Sequence, residues 1–189
     1  MDDLQPDQQP NVSVVMCHRN IAQAPRYALP AGYSMRFYHD GDVATWVRVQ
    51  QAAETYFVPT AKTFSESMPG TPQYLAQRVM FLLDGSGSEV GTITAWKSTR
   101  FTGQDVGQIH WVALIPTVQG RGLSKPMLSA ALDVLRERGY SEAWLETGTG
   151  RIPALNLYLH FGFEPYPRDE TERAAWRDVA PRLKFPIAV

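Results

Sequence analysis

The stretch from Ile109 to Leu135 limits what this chain can become. A run with strand character, Ile109-His110-Trp111-Val112-Ala113-Leu114-Ile115, stops at Pro116. Gln119-Gly120-Arg121-Gly122-Leu123-Ser124 then leads into Leu123, Met127, Leu128, Ala131, Leu132 and Leu135, apolar residues at three- and four-residue intervals. That order is strand, tight turn, helix, with the helix N-terminus left exposed. The first N–H groups of a helix have no intrahelical partner and the aligned peptide dipoles make that end positive, so it attracts phosphate oxygens. Glycines in front of it permit φ > 0 and close approach of a ligand to the backbone. The turn is therefore read as the holder of a cofactor's pyrophosphate.

The totals narrow the setting of that turn. At 189 residues, 44% hydrophobic and 20% charged, the chain has the make-up of a soluble globular protein with volume for a core. A formal net charge of −1 gives no polyanion-binding surface, so no nucleic-acid partner is expected. The single cysteine, Cys17, excludes an intrachain disulfide framework and has no companions at metal-ligand spacing, so no metal is expected. No apolar run approaches the roughly 18 residues of a membrane span, and the acidic start is unlike a signal peptide. A cytoplasmic protein without a membrane partner is the default expectation.

Residues 1–32 carry prolines at 6, 10, 25 and 30 and read as an N-terminal extension, partly disordered, with the apolar patch Val12–Met16 available as an edge strand. A single domain is expected over 33–189. Ser34–Tyr38 reads as a strand, and Asp40-Gly41-Asp42 offers an N-cap for a helix ending before Pro59. Phe57–Gly70 has no clear period and reads either as a substrate-covering loop or as plain connection. A short helix opens at Thr71-Pro72. Arg78–Leu83 and Glu89–Lys97 form an antiparallel hairpin around the turn 84–88. After the central helix, which runs to Gly139 with Pro126 in its first turn, Glu142–Thr147 is a strand, and the strand-helix-strand connection predicts a parallel pair. A short helix from Ile152 ends at Gly162. The tail offers a strand, a charged helix around 172–178 and a last strand at Arg182–Phe185. The sum is an α/β domain with a mixed, mostly antiparallel sheet of about six to seven strands flanked by helices.

Two separated motifs then resemble one family. Pro116–Ser124 is similar to motif A of the GCN5-related N-acetyltransferases (GNAT), Arg/Gln-x-x-Gly-x-Gly/Ala, with Gln119 at the first position, Gly122 at the centre and Ser124 where a glycine or alanine is usual. Ala154–Phe163 resembles motif B, Asn-x-x-Ala-x-x-Leu-Tyr-x-x-x-Gly-Phe, with Arg151 in the slot of the first asparagine. The resemblance is strongest over 107–165. It implies the GNAT fold, in which the motif A strand splays from its parallel neighbour to admit the pantetheine arm. It also implies acetyl-CoA as acetyl donor, a primary amine of a small molecule or peptide as acceptor, and a possible homodimer.

The same resemblance distributes roles. Gly120, Arg121, Gly122, Leu123 and Ser124 would offer backbone N–H groups to the pyrophosphate, with the side chains of Gln119 or Arg121 adding a polar contact and Arg151 standing at the motif B position. The Leu114 N–H would polarise the thioester carbonyl, a main-chain contribution of about 3 kcal/mol in the transition state. Tyr158 matches the tyrosine that serves the departing thiolate, and a phenol near its ordinary pKa of about 10 is protonated at neutral pH. An amine acceptor also needs a base. Strand alternation puts His110, Val112 and Leu114 on one face, which makes His110 a candidate alongside Glu146 and Glu54. The expected activity is N-acetyl transfer; the alternative is a catalytically silent acyl-CoA-binding sensor or regulatory module.

Overall fold

A computed structural model describes residues 11–189; the expectations for residues 1–10 lie outside the described residues. In chain order the elements are β1 (Ser13–His18), β2 (Ser34–Phe37), α1 (Val43–Ala53), α2 (Ala61–Ser67), α3 (Pro72–Leu75), β3 (Val79–Leu83), β4 (Glu89–Ser98), β5 (Val106–Leu114), α4 (Ser124–Glu137), β6 (Ala143–Gly148), α5 (Ile152–His160), β7 (Glu164–Pro165) and α6 (Glu170–Val179). They fall into two compact units, a continuous one over Arg26–Tyr140 and a discontinuous one made of the segment up to Pro25 together with Ser141–Val189. The strands of the parallel pair expected from the sequence, β5 and β6, belong one to each unit. Among the described residues no helix is long and apolar enough to cross a membrane.

In the continuous unit β2, β3, β4 and β5 pair antiparallel in chain order. The β3–β4 hairpin closes because the Asp84 carboxylate accepts from the N–H groups of Ser86 (2.9 Å) and Ser88 (3.1 Å), an aspartate-centred turn. Asp42 does not cap α1 with its side chain, as the sequence suggests. Its carboxylate takes two bonds from Arg36 (2.6 and 3.0 Å) and one from the His39 N–H (2.6 Å), while Arg36 also reaches Glu89 at 2.7 Å. Burial alone would raise the pKa of Asp42, but those hydrogen bonds outweigh it and hold the carboxyl below its ordinary value.

The segment 57–70, without period in the sequence, contains a real helix. Thr60 and Thr63 cap α2 reciprocally, at 3.2 and 3.0 Å, where the usual residue at the third helical position is Glu or Gln. Phe64 and Met68, one turn apart, then enter a core with Tyr38, Trp46, Leu75, Val79, Phe81 and Trp96. α4 buries the stripe read from the sequence, Met127, Leu128, Ala131, Leu132 and Leu135.

In the discontinuous unit β1 lies between β6 and β7 and is antiparallel to both. The patch expected as an edge strand is thus paired on both sides, and the reason is its uninterrupted burial: Val14, Val15, Met16, Cys17 and His18 leave neither face exposed. α6 packs on β1 and buries Ala175, Trp176 and Val179. Its Asp169 cap accepts from the Glu172 N–H at 2.8 Å. The expected last strand at 182–185 does not form. A 3-10 turn at Ala180–Arg182 opens the segment, and the Lys184 N–H donates to the buried Asn156 side chain (2.7 Å) instead of to a sheet neighbour.

Candidate active site

The glycine turn has the backbone its reading requires. Gly120 and Gly122 take φ of 74° and 77°, and a Cβ built on either meets no atom within 4 Å, so conformation and not crowding asks for glycine. α4 begins at Ser124, and no side chain caps it. Its leading N–H groups therefore keep the capacity for an anion. This open, uncapped turn fits the phosphates of a coenzyme. The two polar side chains proposed to help already have protein partners: Gln119 Nε2 donates to the Leu114 carbonyl (2.8 Å), and Arg121 donates to the Thr117 carbonyl (3.0 Å) and the Tyr33 hydroxyl (3.3 Å). They brace the loop on which the N–H groups sit.

Upstream of the turn, β5 carries a β-bulge absent from the sequence reading. Thr92 pairs with Ala113 but Thr94 pairs with His110, so Trp111 and Val112 together oppose Ile93. Trp111 is the one non-glycine residue with positive φ (50°) among the described residues, a backbone state that costs about 1–3 kcal/mol for a bulky side chain. The extra residue reverses the hydrogen-bonding sense of everything after it. The Ala95 N–H donates to the Arg78 carbonyl on the β3 side, so Thr94 and its partner His110 exchange bonds across β4–β5. The Ile115 N–H donates to the Val90 carbonyl at 2.9 Å, so Ile115 faces β4 and Leu114 turns its N–H and carbonyl away from it. Without the bulge, Leu114 would face β4 and its N–H would be used in that ladder. The predicted carbonyl-polarising donor is thus directed away from β4 by a two-for-one count three residues before it.

The bulge also separates His110 from Leu114. Partners in a ladder share a face, so His110 and Ala113 lie with Thr94 and Thr92, while Leu114 lies with Gly91 on the α4 side. A Cβ on Gly91 would meet Leu114 Cδ2 at 2.7 Å and Met127 Cε at 3.2 Å, which is why that position is glycine. The expectation that His110, Val112 and Leu114 share a face is corrected: alternation fails across a bulge. Burial, helped by the nearby Arg100 charge, pushes the His110 pKa down to about 3, so the ring is neutral and a poor proton acceptor at neutral pH. Its Nδ1 lies 3.3 Å from Gln108 Nε2.

Three residues outside both motifs hold the bulge, and sequence reasoning missed them. Gln50 Nε2 donates to the Trp111 carbonyl (3.0 Å) and to Thr92 Oγ1 (2.7 Å), and Thr92 Oγ1 donates to the same carbonyl (3.1 Å). Ser67 Oγ accepts from the Trp111 indole N–H at 2.9 Å. The available signal was Gln50 itself, a carboxamide on the apolar face that Trp46 and Val49 give α1. Phe57, at the start of the segment without period, is 47% exposed and meets the Trp111 ring edge-on at 6.1 Å.

In the discontinuous unit, α5 presents Tyr158. Gly162, at φ 90°, ends the helix, and the Phe163 N–H returns to the Tyr158 carbonyl (3.0 Å), which lays the Phe163 ring against Tyr158 at 5.9 Å. Tyr158 is 6% exposed, and burial, opposed by the Arg151 charge, pushes its pKa up to about 12. Arg151 stands at the N-cap of α5, where its N–H donates to the Gly148 carbonyl (3.0 Å). Glu146 on β6 accepts from Ser13 Oγ and lies 3.6 Å from Arg168, which also binds the buried Glu172. Among the described residues no group of three His, Cys, Asp or Glu could hold a metal ion.

Comparison with known proteins places this arrangement. A family model described as Acetyltransferase (GNAT) family matches residues 46–163. A mycothiol acetyltransferase of Renibacterium salmoninarum is 27% identical over 154 residues, covering 78% of this chain and 45% of the relative. One from Nocardia farcinica is 30% identical over 155 residues, covering 76% of this chain and 49% of the relative. The chain spans about half the length of the curated relatives it matches. Among solved structures, a GCN5-related N-acetyltransferase from Sphaerobacter thermophilus superposes with a TM-score of 0.65 at 24% identity, over 84% of this chain and 50% of that one. The strands and helices described above are those of that fold.

Proposed function

The chain belongs to the GNAT acetyltransferase family, and from that premise we propose that it is an acetyl-CoA-dependent N-acetyltransferase acting on a primary amine of a small molecule or protein. The acetyltransferase names of its relatives support the reaction. The observation that carries the proposal is the bulge at Trp111, which turns the Leu114 N–H away from β4 just ahead of an uncapped glycine turn. Bound acetyl-CoA supplies a thioester whose carbonyl carbon accepts the amine.

In this reading the N–H groups of Gly120 to Ser124 bind the pyrophosphate, and Gln119, by holding the Leu114 carbonyl, fixes the peptide next to the donor. The Leu114 N–H stabilises the negative charge that develops on the acetyl oxygen. Tyr158, with its pKa near 12, keeps its proton in the presence of a thiolate of ordinary pKa about 8.5; it therefore serves the departing sulfur as a hydrogen-bond donor and not as a full acid. The acceptor ammonium must lose a proton. His110 is set aside by its depressed pKa and its face, and Glu146, already oriented by Ser13 and Arg168, takes that part in the proposal.

Calorimetry with acetyl-CoA followed by a thiol-release assay over a panel of amines tests the proposal. Binding with amine-dependent thiol release is the expected result. Binding without turnover on any amine assigns instead a silent acyl-CoA-binding module, and no binding refutes both.

A further inference from the structure

We infer that Gln50 and Thr92 are positioning residues for acyl transfer, locking Trp111 in its left-handed bulge and thereby fixing which edge of β5 the Leu114 N–H faces. The inference rests on the proposed acetyl transfer for its catalytic part alone; the lock is a property of the chain. A bulge takes one carbonyl out of the ladder, and a buried carbonyl without donors is unfavourable. Here that carbonyl belongs to Trp111, and it receives two donors from side chains that are themselves 3% and 0% exposed. The proton count closes. Gln50 Nε2 gives one hydrogen to the carbonyl and one to Thr92 Oγ1, and Thr92 gives its single hydrogen to the carbonyl.

The side chain of the same residue is held independently. The indole N–H donates to Ser67 Oγ, which donates onward to the Thr63 carbonyl (2.6 Å), and Trp46 meets the indole edge-on at 4.9 Å. Trp111 is therefore fixed at its main chain from α1 and β4 and at its ring from α2. The regular ladder that competes with this state would leave the two buried donors without their shared acceptor and would swing Leu114 toward β4. Gln50 and Thr92 touch neither the glycine turn nor motif B, so their effect on catalysis passes through the backbone of 111–114.

The test uses Gln50→Leu and the isosteric Thr92→Val, with Thr92→Ser restoring the hydroxyl, each shown folded by thermal melting. Amide hydrogen exchange by NMR reads the lock directly, because Ala113 and Ile115 face β4 only in the bulged register. Exchange at those two amides should quicken by about tenfold or more in Gln50→Leu and Thr92→Val, with α4 amides unchanged and Thr92→Ser near wild type. In the same variants kcat should fall about tenfold or more while the acetyl-CoA Kd stays within about threefold. Folded variants with wild-type exchange at 113 and 115 overturn the lock. A uniform rise in exchange throughout the unit, with kcat falling only as far as the folded fraction, overturns the positioning role. If the wild-type protein binds acetyl-CoA but acetylates no amine, the proposed reaction fails, and the exchange rates alone decide the lock.

Discussion

His110 should make the protein sensitive to mild acid. Its pKa in the fold is about 3, against an ordinary value of about 6.5, because burial disfavours the charged ring and Arg100 adds to the effect. The unfolded chain therefore binds a proton that the folded chain refuses. Stability is full above pH 6.5 and is lost as pH falls through the window from 6.5 toward 3. At pH 5.0 the unfolded histidine is almost fully protonated and the folded one hardly at all, which amounts to about 2 kcal/mol. That figure barely changes if the folded pKa is 4 instead of 3, so it survives some solvent at the ring edge. Urea unfolding at pH 7.5 and pH 5.0 measures it, with His110→Gln as the control that keeps a polar contact for Gln108 while removing the titration. The wild-type protein should lose about 2 kcal/mol more than the variant between the two pH values. Equal losses would show that the ring is hydrated or already protonated in the fold, and would return His110 to the list of possible bases.

Tyr158→Phe should lower kcat about 10- to 100-fold with little change in acetyl-CoA Kd; an unchanged kcat would remove the hydroxyl from the reaction. Gly122→Ala forces a Cβ into φ 77° and should cost about 1–2 kcal/mol by urea midpoint while weakening acetyl-CoA in calorimetry. Gly162→Ala adds to a φ of 90° a contact of 3.1 Å with His18 Nε2, so its loss should be the larger of the two; a smaller one than Gly122→Ala would refute the steric part.

The sequence is most readable where the determinants are local. The α4 stripe, the 84–88 turn and the Gly122 and Gly162 positions each follow from residues within a few places of one another. The bulge does not. His110-Trp111-Val112-Ala113 reads as unbroken strand, with no glycine to announce a left-handed residue, and the cause lies 61 positions earlier in Gln50. Once the two-for-one count is missed, alternation assigns His110 to the face of Leu114, where the ladder does not put it. α2 escaped because threonine, not glutamate, completes its cap over only seven residues. β1 was underestimated because its partners come from the far end of the chain, and the 182–185 strand was overestimated because the partner of Lys184 is a side chain on α5.

The two-sided pairing of β1 has a bearing on the order in which the molecule is made. Ser13 precedes its partner Glu146 by 133 positions. At ribosomal speeds of about 5–20 residues per second, that separation is roughly 7 to 27 s of synthesis. During that interval Val14, Val15, Met16 and Cys17 have left the ribosome without either neighbouring strand, while the whole of Arg26–Tyr140 emerges and can collapse on its own. A nascent chain in this state displays an apolar strand with two unsatisfied edges, the kind of surface that chaperones shield and that captures strands of other chains. β1, made ahead of both of its partner strands, is thus placed only after them.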